Sequence, residues 1–229
     1  MSRNPLEVRT LPVTGVPVAV GAVRPRQRGD AYLQGIQLGP LPRCRHRPEL
    51  IIFILDESGS VQGGNDPLGR RHDEVSYTAR RIATSCRCGQ QRMAVIYFRP
   101  STHDVGPFKL NTFGGVRRVD DALANRPSGT SSDLGPALDA AYALAVRHPH
   151  PATVVALTDF ELLDADPERE LMRLAEFPGH SHAVVLGSRV PQLLEDHDDV
   201  TVTRISWDSP AGAVATAVLP AFTHQRAAK

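Results

Sequence analysis

Apolar positions along this chain switch between two periods. Leu50 to Leu55 is an unbroken apolar run, as expected of a strand buried on both faces. Met93 to Phe98, Thr153 to Thr158, Ala183 to Leu186 and Val200 to Ile205 read as further strands. Between them the spacing turns helical. Val75, Ala79, Ile82, Ala83 and Cys86 share one face of a helix over Asp73 to Cys86. Leu134, Leu138, Ala141, Tyr142 and Ala145 stripe another. Val116 to Ala124, Pro167 to Phe177 and Ala211 to Phe222 complete the helices. Val105 to Leu110 is a weaker strand whose Pro107 and Lys109 suit a sheet edge. Regular alternation of strand and helix predicts an α/β fold, a doubly wound, mostly parallel sheet with helices on both faces.

Residues 1–48 break this rhythm. They are rich in proline, glycine and arginine, and predict an irregular or short-stranded extension that packs on a domain spanning 49–222. Val16, Val18 and Val20 alternate there, and Tyr32 to Leu38 reads as extended. Residues 223–229 read as a flexible tail. Eight arginines against Glu7 and Asp30 give the extension a net +6, in a chain whose total is +1. A basic arm on a mildly acidic body touches nucleic acid in some proteins. Packing on its own domain is the preferred reading here. The basic residues are arginine except Lys109 and Lys229, a bias that fits a GC-rich bacterial source.

Other classes are excluded. No apolar stretch approaches the ~20 residues of a membrane span. The N-terminus MSRNPLEVRT lacks the apolar core of a signal peptide, so a cytoplasmic protein is expected. Cys44, Cys86 and Cys88 are too few and wrongly spaced for a disulfide framework, and with His46 make a poor zinc site. Gly64 to Gly69 imitates a phosphate-binding loop, but Arg70 and Arg71 follow where lysine and a hydroxyl residue are needed. The pairs His148/His150 and His180/His182 read as solvated surface histidines.

The chemistry gathers where apolar runs end. Directly after Leu55 come Asp56, Glu57, Ser58, Gly59 and Ser60. Ligands of open α/β sheets bind at the carboxyl ends of the strands. Positions 56, 58 and 60 supply hard oxygens, which favour magnesium, manganese or calcium over zinc or copper. A second hydroxyl-rich loop, PSGTSSDLGPAL from Pro127 to Leu138, enters a helix. Asp159 stands at the end of the Thr153 strand. Each has a plainer reading: a polar turn, a helix cap, a turn aspartate.

Asp56-x-Ser58-x-Ser60 after a buried strand, with the later loop and Asp159, resembles the von Willebrand factor A (vWA) domain and its metal-ion-dependent adhesion site. The resemblance runs from about Glu49 to Phe222. It implies a site for Mg2+, with Mn2+ or Ca2+ as alternatives, held by Asp56, Ser58, Ser60, a loop hydroxyl and Asp159. The family's loop threonine lies six residues before a helix leucine. Counting back from Leu138 gives Ser132, while Thr130 follows a glycine as the family residue often does; both stay open. The family usually has glycine after the aspartate, where Phe160 stands here. Neutral ligands leave the ion electrophilic, so the resemblance implies a partner protein that supplies a carboxylate. This is recognition, not enzymology. A scaffold with a non-functional site and a magnesium-dependent phosphoester hydrolase are the alternatives. Glu57, at the motif's variable position, is expected to face solvent or a neighbouring molecule's ion. Trp207 is a candidate rim contact or, equally, a partly buried packing residue.

Overall fold

The computed structural model describes residues 31–39, 49–61, 67–85, 90–98, 105–125 and 131–222. Its elements are, in chain order, α1 (Ala31–Gln34), β1 (Glu49–Leu55), α2 (Arg71–Ser85), β2 (Gln91–Tyr97), β3 (Val105–Lys109), α3 (Phe113–Ala124), α4 (Gly135–Arg147), β4 (Ala152–Thr158), α5 (Pro167–Ala175), β5 (Gly179–Leu186), α6 (Gln192–Glu195), β6 (Val200–Ile205) and α7 (Ala213–Val218). Short 3-10 turns occupy Gly59–Val61 and Leu219–Phe222.

The strands form one sheet in the order β3-β2-β1-β4-β5-β6. β1 sits between β2 and β4 and pairs in parallel with both; β4–β5 and β5–β6 are also parallel. β3 runs antiparallel to β2 at the edge, as its Pro107 and Lys109 suggested. Every residue of β1 is buried, which explains its unbroken apolar run. Its alternate residues feed two cores. Ile51, Phe53 and Leu55 pack with α2, α3 and α7 on one face. Leu50, Ile52 and Ile54 pack with α4, α5 and α6 on the other. Each such Ile, Leu or Phe contributes about 1.5–3 kcal/mol by leaving water.

Local signals set the helix starts. Thr112 accepts a hydrogen bond from Gly115 N at the start of α3, and Asp166 accepts one from Arg169 N before Pro167 opens α5. α4 lacks a cap from its own N-cap residue. Asp164 supplies one from the loop after β4, accepting from Leu134 N and Gly135 N, both at 2.8 Å.

The segment 31–39 differs from its sequence reading. Ala31–Gln34 is a helical turn, not an extended strand, because Gly35 N closes back on Ala31 O and Tyr32 O. The Tyr32 hydroxyl donates to Glu74 Oε1 at 2.5 Å. Glu74, fully buried in α2, also accepts from Gly212 N and Ala215 N, each at 2.9 Å, at the start of α7. Ile36 packs over Gly212, whose φ of +92° suits glycine. Residues 1–30, Cys44, His46, Cys86 and Cys88 lie outside the described residues. No helix among the described residues is long and apolar enough to cross a membrane.

Candidate metal centre

Three chain segments leave the carboxyl ends of β1 and β4 and the start of α4, and hydrogen bonds link them. Asp56 follows β1, and its N–H continues the ladder to Leu157 O of β4 at 3.0 Å. Its carboxylate bridges both segments. Oδ1 accepts from Ser58 N at 2.7 Å, and Oδ2 accepts from the Thr158 hydroxyl at 2.7 Å. The Ser58 and Ser60 hydroxyls lie 2.9 Å apart. Ser58 is buried and Ser60 exposed.

Asp159 is 4% exposed. Its Oδ1 accepts from Glu161 N at 3.0 Å, while its buried Oδ2 has no hydrogen-bond partner among the described residues. An orphaned buried carboxylate oxygen is costly unless something electropositive meets it. Burial pushes the Asp56 carboxyl above its usual range, against the Thr158 and Ser58 donors, and the charge of Asp159 pushes the same way. The two aspartates therefore sense each other.

The loop before α4 joins through its backbone, with Leu163 N donating to Ser132 O at 3.1 Å. The Ser131 hydroxyl is turned to the Asp133 carboxylate. The Ser132 hydroxyl has no hydrogen-bond partner among the described residues, which leaves it available. Asp164, not Ser131 or Ser132, caps α4. Thr130 lies outside the described residues.

Phe160 has a φ of +60°. That region costs an L-residue about 1–2 kcal/mol and suits glycine. Phe160 is held there by burial in the core against α4 and α5.

Glu57 does not face solvent; it is 1% exposed. Its Oε1 lies 3.2 Å from Arg71 Nη2 and is in contact with His72 Nε2. Arg71 is fully buried and donates to the Val61, Leu68 and Asp56 carbonyls at 2.6, 2.9 and 2.7 Å. Arg71 opens α2, two residues before the helix that periodicity predicts from Asp73. The signal was present: Arg71 extends the stripe Val75, Ala79, Ile82 by one helical step back.

The histidine expectations also change. His182 is buried, with Nε2 3.0 Å from the Thr203 hydroxyl, and desolvation lowers its pKa to about 4. His180 is half-buried. Among the described residues no three His, Cys, Asp or Glu side chains gather as a metal site. The donor set at this sheet end is instead two hydroxyls 2.9 Å apart with two aspartates. Such hard neutral and carboxylate oxygens, with one oxygen orphaned, fit a divalent cation of the magnesium or calcium type.

At the rim, the Ser188 hydroxyl donates to Glu161 Oε1 at 3.3 Å, and Arg204 Nε donates to Ser188 O at 2.7 Å. These bonds lace together the ends of β4, β5 and β6. Leu163 (76% exposed) and Trp207 (47% exposed) stand on these loops. A Cβ at Gly187 would sit 2.8 Å from Trp207 Nε1, so glycine lets the indole lie against the loop.

Strand order, the edge strand and the aspartate-hydroxyl loop after the central strand decide the architecture. The fold is that of a vWA domain. Residues 51–161 match the model of the von Willebrand factor type A domain. Similar solved structures include a von Willebrand factor type A protein from Catenulispora acidiphila, with TM-score 0.55 and 16% identity over 77% of this chain and 42% of that one. The SpRpn10 VWA domain has TM-score 0.56 and 11% identity over 75% of this chain and 94% of its own. Proximal thread matrix protein 1 from the mussel byssus, in a form described as having a zinc-occupied MIDAS motif, has TM-score 0.51 and 18% identity over 77% of this chain. This chain spans about half of that mussel protein, 47%. No curated protein matches the sequence.

Proposed function

We propose that this vWA-fold chain is a divalent-cation-dependent protein-recognition module, and that the group it recognises is a carboxylate of another protein. The observation that carries the reading is the buried, unpartnered Asp159 Oδ2 at the same sheet end as the Ser58–Ser60 hydroxyl pair. Asp56, Ser58, Ser60, Ser132 and Asp159 would hold the ion, with Thr130 as the alternative to Ser132. Mg2+ is the preferred ion, and Mn2+ and Ca2+ are alternatives. The zinc-occupied motif in the mussel protein supports divalent-ion use by this fold.

When bound, the ion supplies a positive charge that neutral hydroxyl ligands leave largely uncancelled, and so attracts a carboxylate. The chain's own residues shape the rest. Asp56 ties the 56–61 loop to β4 through Thr158. Leu163 and Trp207 offer apolar contact area beside the site, and exposed aromatic residues are frequent anchors of interfaces. The reading needs no nucleophile or general base, and it includes a cytoplasmic location.

Calorimetric titration with magnesium chloride tests it. Native protein should bind with one-site stoichiometry, Asp159→Ala should not, and partner capture should be lost both in that variant and on chelation. Native-like magnesium affinity in Asp159→Ala, with its fold intact by circular dichroism, sinks the reading.

A further inference from the structure

The segment from Asp56 to Val61 turns away from the sheet, and one side chain from outside grips both of its ends. Arg71 Nη2 holds Asp56 O at 2.7 Å, while Nη1 holds Val61 O at 2.6 Å and Leu68 O at 2.9 Å. Ser58 and Ser60 lie between the gripped carbonyls. The guanidinium is planar, so its fork fixes the spacing of those carbonyls; a lysine ammonium is a point donor and does not. Glu57, on the same loop, meets the arginine with a carboxylate 3.2 Å from Nη2. A buried arginine is tolerated where it is paired and hydrogen-bonded, and the partners named above lie on the loop or on the turn leading into α2.

We infer that Arg71 is a positioning residue of the cation site: it holds the 56–61 loop at one span before the ion arrives, and so sets a preference for a small divalent cation over calcium. The inference rests on the cation-site reading above. Magnesium demands near-octahedral geometry at about 2.0–2.1 Å, whereas calcium accepts irregular shells at about 2.3–2.6 Å. A loop pinned at both ends serves the first ion; a loop free to widen serves the second. Arg71 acts through the loop backbone and has no place among the oxygen donors. Groups that orient a ligand set from behind cost about 10–100-fold in metal affinity when removed.

The test titrates the full chain with magnesium chloride and, separately, calcium chloride, well below the melting transition, for native protein, Arg71→Lys and Arg71→Met. Circular dichroism checks that each variant is folded. Native protein should prefer magnesium. Arg71→Lys, which keeps the charge but loses the fork, should bind magnesium about tenfold more weakly or worse. Its calcium affinity should fall less, so the magnesium-to-calcium ratio drops. Arg71→Met should go further in the same direction; if it does not fold, Arg71→Lys decides. A merely structural arginine would lower the melting temperature and leave the ratio unchanged. Folded Arg71→Lys with native affinity and native ratio overturns the inference. Native protein that binds both ions without preference also overturns it, whereas native protein that binds neither overturns the proposed function itself.

Discussion

At the scale of single residues, Phe160 shows how burial holds a bulky side chain in a backbone region that suits glycine. Its positive φ is strained, and its burial offsets the strain. Phe160→Gly should therefore relieve about 1 kcal/mol of backbone strain yet lose about 3–5 kcal/mol of packing. Chemical denaturation should register a net loss of about 2–4 kcal/mol. A stabilised variant would show that the strain outweighs the packing. His182 gives a second residue-scale prediction. Its folded pKa, about 4, lies below the 6.5 of an unfolded histidine. Between those values the unfolded chain binds the proton that the folded chain refuses, so stability falls as pH drops from 6.5 toward 4. The full window corresponds to about 3 kcal/mol, present above pH 6.5. Denaturation midpoints measured at pH 7 and at mildly acidic pH should diverge less in His182→Leu than in native protein. Asp56, Ser58, Ser60 and Asp159 were readable as candidates because their spacing follows directly from strand ends. The Glu57–Arg71–His72 cluster was not, because it needs the chain to fold back across 14 residues.

At the scale of elements, the strands were the most legible, since a strand covered on both faces of a sheet is mostly apolar along its whole length. Boundaries were set by features that periodicity does not carry. α2 begins two residues earlier than Asp73 because Arg71 and His72 are buried with Glu57. The last helix splits into α7 and a 3-10 turn over Leu219–Phe222, where Pro220 removes a backbone donor. β4 carries one misfit. Thr153 is buried with its hydroxyl unpartnered among the described residues. Thr153→Val keeps the β-branched shape and removes the unmet group, and should raise unfolding free energy by about 1–2 kcal/mol. A destabilised Thr153→Val would mean that the hydroxyl has a water partner worth keeping.

At the scale of the whole molecule, the sheet divides the core into two halves and gathers the proposed cation site at its carboxyl edge. The two-faced architecture was legible from strand–helix alternation alone. What alternation does not encode is the part played by residues before β1. One carboxylate, Glu74, receives the first amides of α7 and the hydroxyl of Tyr32 at once. Beginning the chain at Glu49 would strip away Tyr32 and the Ile36 methyl groups that cover Gly212. Glu74 would then hold the first amides of α7 without the Tyr32 hydroxyl, with water admitted beside it. Hydrogen exchange in such a shortened protein should quicken first at residues 212–218, far along the chain from the cut. A trimmed version made for convenience would thus carry a loosened final helix, and its behaviour would misreport the native domain.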